Sequence, residues 1–429
     1  MCRDLEADKS DSQMYFRRHN GELIIGPTSL AFNDAEFMTE AKRLGYPPLA
    51  AHQVRRKFFR MLLRQVARVG LKVHYGQQVE KYFEDEEAGV AGVVTEDGSV
   101  RVAHLVVAAD ASRTQSELLI SGRRMPSRPS GMTVYRTSLP TELAMKNDAF
   151  RARFGNTISK GVSSHEFWMA PGMHLGLYIS FEFCAFGLTP RDSTVQADST
   201  QPIESWDPNV DPMDVVKVLH HVPDWDPAVE GLILAAPPNS VVHWPLLWRN
   251  LNREWTSKGG RVVQVGDAAH TTLPASANGG TLAIEDAVTL ASCLQLSSYG
   301  GNSNAVPMGT RVYNLLRYQR VSCSQKMAFV NFESLSGGKK EHDKSSEEKS
   351  EKGSDKNPLK FPRWLYQHDP EAYVYDKYSS AFAHLSSGTP FQNTNFPRGH
   401  KFAPWTIEGI LEDIKAGKSI VDFLDGDWS

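Results

Sequence analysis

Apolar and polar positions follow two rhythms along this chain, and the changes of rhythm mark its organisation. Residues 20–30, NGELIIGPTSL, predict a hairpin-like strand pair with turns at Asn20-Gly21 and Gly26-Pro27. Residues 47–70 predict a helix after a proline stop: Val54, Phe58, Leu62 and Val66 recur every four positions, and Gly70 closes the end. Short strands are expected at 71–75 (LKVHY), 90–94 and 99–103, the last two joined by Asp97-Gly98. The run LVVAAD (105–110) predicts a strand buried on both faces of a mainly parallel sheet. From about 130 to 250, strand-like pieces (GMTVYRTSL, HLGLYISFEF, NSVVHWPLL) are divided by loops rich in Pro, Asp and Trp, which predicts an inserted β-rich layer. The first rhythm then returns with a strand at 261–267 and helices at 281–296 and about 309–332. In the first of these helices Ala283, Ala287, Leu290, Ala291 and Leu294 form the expected packing stripe.

The alternation of strands and helices predicts an α/β fold. Residues 336–357 carry almost no apolar side chains, and Lys339 to Lys356 hold six lysines against six acids, the composition of a solvated, disordered insertion. Residues 358–429 contain Trp364, Tyr366, Tyr373, Tyr375, Tyr378, Trp405 and Trp428, enough aromatic surface to fold back on the body.

With 429 residues the chain can bury a sizeable core, and 47 basic residues against 50 acidic ones leave it near neutral, which argues against a nucleic-acid partner. No stretch approaches the roughly 18 apolar residues of a membrane span, and the first thirty residues lack an apolar signal core. Cys2, Cys184, Cys293 and Cys323 lie far apart, without metal or CxxC spacing, and read as reduced thiols. A soluble, cytoplasmic protein is expected.

The stretch most suited to chemistry is VVQVGDAAHTTLPASANGGTLAIEDAVTLASCL (262–294). Gly266 permits a sharp exit from a buried strand, so Asp267 projects from the carboxyl edge of the sheet, where open α/β folds bind ligands. Ala268 and Ala269 leave room for a ligand. Gly279 and Gly280 allow close backbone approach, and the helix beginning near Thr281 aims free N–H groups and a positive dipole end at the same place. His270 reads as a capping or packing residue, and His220-His221 as surface.

This stretch resembles the second FAD motif of the single-component flavoprotein monooxygenases, the para-hydroxybenzoate/salicylate hydroxylase family. GDAAH, Pro274, NGG and Glu285-Asp286 stand at family spacing. The resemblance implies that Asp267 binds the ribityl/pyrophosphate region of FAD and that the backbone at Gly280 meets the flavin. HQVRRKFFRMLLRQVARVG resembles the family helix that opens with a FAD-contacting arginine, here Arg55; Arg56 is the rival, and a solvated helix face is the alternative for both. LVVAADASRTQSELLISG resembles the family's Asp-Gly motif. Asp110 is kept, but Ala111 replaces the glycine, Thr114 stands where serine is usual, and Glu117 lies near the expected arginine. That motif helps place both FAD and NADPH, so hydride delivery from NADPH is the less secure expectation.

GMTVYRTSLP and HLGLYISF resemble strands that face the substrate, which implies Arg136 and Tyr178 as catalytic candidates: the arginine favouring an ionised phenol, the tyrosine holding its oxygen. Ordinary sheet packing is the alternative for each. The chain contains no GxGxxG, and its first residues resemble a part of the family beyond that unit. Either a truncated gene model or a lost unit is expected.

The implied architecture is an incomplete Rossmann-like FAD-binding domain (1–125 and 255–335, lacking its first βαβ unit). It is interrupted by a β-rich substrate domain (126–254) and followed by the 336–357 insertion and a C-terminal helical and aromatic tail (358–429). The implied function is a FAD-dependent monooxygenase that uses NADPH and O2 to insert one oxygen atom into an aromatic or polyketide/terpenoid-like small molecule in secondary metabolism. The insertion is a hydroxylation, an epoxidation or a Baeyer–Villiger step. The alternative is a catalytically altered pseudoenzyme, or a non-redox binding or isomerase protein on the same fold.

Overall fold

A computed structural model describes residues 13–28, 55–192, 210–299, 304–335, 362–418 and 420–428. The 336–357 insertion and Cys2 lie outside these residues. The chain divides into two compact units. The first comprises Met1–Lys72, Pro129–Leu247 and Phe332–Leu359, the second Val73–Arg128, Trp248–Asn331 and Lys360–Ser429.

The first unit is built on a seven-stranded sheet of β1 (Gln13–Arg18), β2 (Leu23–Thr28), β7 (Arg128–Pro140), β8 (Ser164–Ala170), β9 (Met173–Ile179), β10 (Phe183–Pro190) and β11 (Val242–Trp248). Its order is β11-β7-β10-β9-β8-β1-β2. The strand pair expected within 20–30 does not form there: β2 is the one strand in the described part of that stretch, and it pairs across the Asn20-Gly21 turn with β1, which precedes it, while Gly26-Pro27 lies inside β2. Strand β8 was hidden in the sequence because polar residues interrupt it: Glu166 is buried, where its carboxylate accepts from Arg17 Nε at 2.9 Å and from Trp168 Nε1 at 3.0 Å.

Helices α3 (Asp148–Ser159), α4 (Pro212–Leu219) and α5 (Pro227–Leu234) contribute Phe150, Leu219 and Leu232 to one core with Leu175, Leu177 and Leu188 of the sheet. Asn147, Asp211 and Asp226 cap these three helices through side-chain oxygens that accept backbone N–H bonds. Helix α1 (Arg55–Arg68) buries only Met61, and Leu62 of the expected stripe is exposed. Gly70 does close it, with positive φ and the Leu71 N–H bonded to the Val66 carbonyl.

In the second unit β6 (Val106–Ala108) and β12 (Val262–Gln264) pair in parallel, beside an antiparallel sheet of β3 (Val79–Asp85), β4 (Val90–Thr95) and β5 (Val100–Ala103). The expectation that β6 is buried on both faces fails, because Val107 is 44% exposed. The expected strand at 71–75 is also absent: those residues form no regular element, and Leu71, Val73 and Tyr75 are exposed. Alternating apolar residues make a strand only where a partner edge receives them.

Helices α6 (Gly279–Ser298), α7 (Ala305–Leu335) and α8 (Pro370–Ser387) pack around Trp255, Val263, Leu282, Leu290, Tyr313, Val374 and Tyr378. The tail returns to the body as expected: Trp428 and Leu365 pack with Cys323 and Met327 of α7. The stripe predicted for α6 is off by one position. Its buried residues are Leu282, Glu285, Asp286, Thr289, Leu290, Ser292 and Cys293, because two carboxylates turn inward to meet arginines of α7.

Candidate flavin site

Strand β12 ends in a bend whose geometry demands glycine. Gly266 has φ +58°, and a Cβ there would lie 3.0 Å from the Ala283 methyl of α6. A single tight turn, Gly266–Ala268, follows; Asp267 is exposed while Ala268, Ala269 and His270 are buried. The neighbouring strand runs alongside, with the Val265 N–H bonded to the Ala108 carbonyl at 3.0 Å. The turn after β6, Ala111–Arg113, abuts the Asp267 turn. Asp110 and Asp267 are therefore brought together at the carboxyl ends of adjacent parallel strands. Asp110 Oδ2 accepts from the Tyr82 hydroxyl at 2.9 Å. Burial and the Asp110 charge hold that hydroxyl well above its ordinary pKa, so it remains a donor. Ala111, in the place of the motif's glycine, keeps a glycine-like backbone with φ +62°.

Helix α6 opens beside this bend. The Asn278 side chain does not cap it but donates to the Ser276 carbonyl. The first helical bond runs from Leu282 N–H to the Asn278 carbonyl at 2.8 Å. The N–H groups of Gly279, Gly280 and Thr281 have no acceptor among the described residues and stand at the positive end of a twenty-residue helix. A Cβ at Gly280 would meet nothing within 4 Å, so the backbone there is bare and exposed.

Buried charges hold the bend from behind. The Asp286 carboxylate accepts from the Gly266 N–H at 2.8 Å, from Arg317 Nε at 2.7 Å, and pairs with His270 Nε2 at 2.6 Å. Glu285 receives Arg317 Nη1 at 2.6 Å and both Nε and Nη2 of Arg320 at 2.8 Å. Burial pushes both carboxyls up. The arginines outweigh it at Glu285, and His270 with Arg317 outweighs it at Asp286, leaving each at about 2.

A third clamp is Arg249, whose Nη1 donates to Glu117 Oε1 at 2.5 Å and whose Nη2 reaches the Asp267 carbonyl at 3.3 Å. Glu117, which looked out of place in the sequence, is thus the buried partner of an arginine lying 132 positions later. From α7, Gln325 donates to the Thr271 carbonyl at 2.6 Å and Asn331 to that of Ala275 at 3.3 Å, fixing the loop before α6. Arg249, Arg317, Arg320, Gln325 and Asn331 are the residues the sequence reading missed. Only Arg317 and Arg320 left a signal, as two cations three apart on a helix that follows Glu285-Asp286.

The other candidates lie in the first unit. Cross-strand pairing sets Arg136, Gly187, Gly176, Phe167 and Phe16 in one row and Ala185, Tyr178, His165 and Met14 in the next, on the same sheet face. Arg136 lies over the Trp244 ring, 4.8 Å from its centroid. Burial, and then the charge of Arg55, lower its pKa, so Arg55 at the start of α1 stands near it. Tyr178 is buried, its ring 5.1 Å from Phe183 and 6.3 Å from His165. His220 and His221 are exposed.

A family model described as FAD binding domain matches residues 17–306. The chain is 64% identical to FAD-dependent monooxygenase AacuC of Aspergillus aculeatus, over 100% of this chain and 82% of that protein. It is 62% identical to a FAD-dependent monooxygenase of Claviceps purpurea with the same coverage. CtdE, solved in complex with FAD and a substrate, shares the fold: TM-score 0.73 at 19% identity, covering 90% of this chain and 85% of that one.

The chain belongs to the FAD-dependent monooxygenases, flavoprotein enzymes whose cofactor is FAD. The non-redox alternative finds no support among these relatives. The donor set fits the cofactor: an exposed carboxylate accepts from hydroxyls, three unspent N–H groups suit an electron-rich ring edge, and bare Gly280 admits a flat group. Among the described residues no helix is long and apolar enough to cross a membrane.

Proposed function

We propose that this enzyme inserts one atom of O2 into a flat aromatic or polyketide-like small molecule, with NADPH as reductant, in fungal secondary metabolism. The observation that carries the reading is the Asp267 bend facing the uncapped start of α6. Asp267 would accept hydroxyl hydrogen bonds from the FAD polyol, Asp110 would serve the same region, and the N–H groups at Gly280 would meet the flavin edge. Bound FAD supplies electron transfer and O2 activation, chemistry no side chain can perform.

The chain's own residues then position and polarise. Arg136, half-buried and reinforced by the charge of Arg55, would favour the anionic form of a phenol. Tyr178 would hold a substrate oxygen on the same face. Gly176 and Gly187 keep the floor between them low, and Trp244 and Phe167 wall it with apolar rings that exclude water. Arg55 is assigned to the cofactor phosphates or to the charge of this face. The test is visible absorbance of the purified protein with added FAD: a flavin band that disappears in Asp267→Ala supports the reading, and an equal band in both proteins sinks it. Arg136→Ala and Tyr178→Phe should retain the band and lose turnover.

A further inference from the structure

The second unit holds a cavity of about 620 Å³ that shares no residue with the Asp267 bend or the start of α6. It lies between the 253–258 segment before β12, the outward side of α7, the end of α8 and the stretch near Phe402. The volume is that of a site for a small organic ligand, within the usual range of roughly 300–1,000 Å³.

Its charge is lopsided. Arg253, Lys258 and Arg311 face Glu254 as the one carboxylate in the lining. Neither Arg253 nor Arg311 has a carboxylate partner among the described residues. Arg311 Nη2 instead donates to the Lys258 backbone carbonyl at 2.8 Å. Lys258 is only loosely engaged, 3.9 Å from the exposed Glu86. Cations clustered at the rim of a cavity raise the local potential and draw in anions.

The opposite wall is aromatic. The Tyr318 ring meets Phe402 edge-on at 5.8 Å and Trp255 at 6.4 Å, leaving its hydroxyl without a partner among the described residues. Next to it, Gln319 Oε1 is shut off from water and accepts no hydrogen bond. A buried amide left so is costly, and turning toward a ligand N–H relieves it. A single carboxylate needs one arginine. Two arginines without a carboxylate partner among the described residues match the charge and the several oxygens of a phosphate.

We propose that this cavity binds a nucleoside phosphate, its heterocycle against Tyr318 and Phe402, its phosphate held by Arg253 and Arg311, and an exocyclic amine offered to Gln319. The nucleotide is either a free adenine nucleotide or the phosphorylated adenosine end of a nicotinamide dinucleotide.

Calorimetric titration of the full chain, with FAD added, tests the site using AMP, 2′,5′-ADP and NADP+, and salicylate as an anion without phosphate. Saturable binding of a nucleotide is expected, weakened about 10–100-fold in Arg253→Ala/Arg311→Ala and at least tenfold in Tyr318→Ala, with near-UV circular dichroism unchanged. Asp267→Ala should leave that binding intact, separating this site from the flavin bend. A preference for 2′,5′-ADP and NADP+ over AMP assigns the site to the dinucleotide; equal binding assigns it to free nucleotides. The proposal is overturned if no nucleotide binds saturably, if the double variant binds as tightly as the parent, or if salicylate competes on equal terms.

Discussion

Asp267 is exposed at the tip of a turn whose next three residues, Ala268, Ala269 and His270, are buried. Its exposure follows from Gly266, whose positive φ no other residue adopts beside Ala283 without strain. Asp267→Ala should weaken FAD binding about 10–100-fold, the worth of a charged hydrogen bond, in a titration followed by flavin fluorescence. Gly280→Ala makes the opposite case. An added methyl meets nothing and removes a helix-breaking glycine, so the FAD-free protein should gain about 0.5–1 kcal/mol in urea unfolding, yet bind flavin more weakly. Ala111→Gly should stabilise by about 0.5–1 kcal/mol, because an alanine now occupies backbone suited to glycine. At this scale the sequence was informative. The turn that exposes Asp267 and the bare backbone at Gly280 were legible because turn chemistry is local, whereas the Arg249 clamp was not, since its partner Glu117 lies far off in the chain.

Among the elements, α6 shows how tertiary contacts override an apolar pattern. An Ala-Leu stripe was visible, but the face that packs is the one carrying Glu285 and Asp286, because α7 offers Arg317 and Arg320 to them. No periodicity rule anticipates a buried ion cluster, since it depends on which helix arrives opposite. Asp286→Asn should cost about 3–5 kcal/mol in urea unfolding by leaving Arg317 short of a buried counter-charge. The same variant should loosen flavin, since the Gly266 N–H loses its carboxylate. Both carboxyls titrate near 2 in the fold and near 4 in an unfolded chain. Their stabilisation is complete above about pH 5 and is lost as pH falls toward 2. Thermal midpoints should follow that course, and a Glu285→Gln variant should show a shallower fall.

Over the whole molecule, the alternation of strands and helices was legible only in part: β1, β3 and β8 pair although their polar residues mask them, three helices (Asp148–Ser159, Pro212–Leu219 and Pro227–Leu234) stand where only strands and loops were expected, and two apolar segments were over-read. Residues 71–75 alternate like a strand and form none; β6 is apolar throughout, yet Val107 faces outward. Exposed apolar side chains promote association, and Val107→Lys should raise the concentration at which the protein stays monomeric in light scattering, with absorbance of bound flavin as the control for folding.

The paired glycines of β9 and β10 bear on how such an enzyme diversifies. A glycine codon lies a single base change from alanine or valine, and at positions 176 and 187 either substitution raises a bump on an otherwise smooth surface. On the proposed reading, acceptance of broader or narrower molecules drifts cheaply there. The clamped bend is tied through Asp286, Arg249 and Gln325 to three separate stretches of chain, so a substitution there disturbs several hydrogen bonds at once.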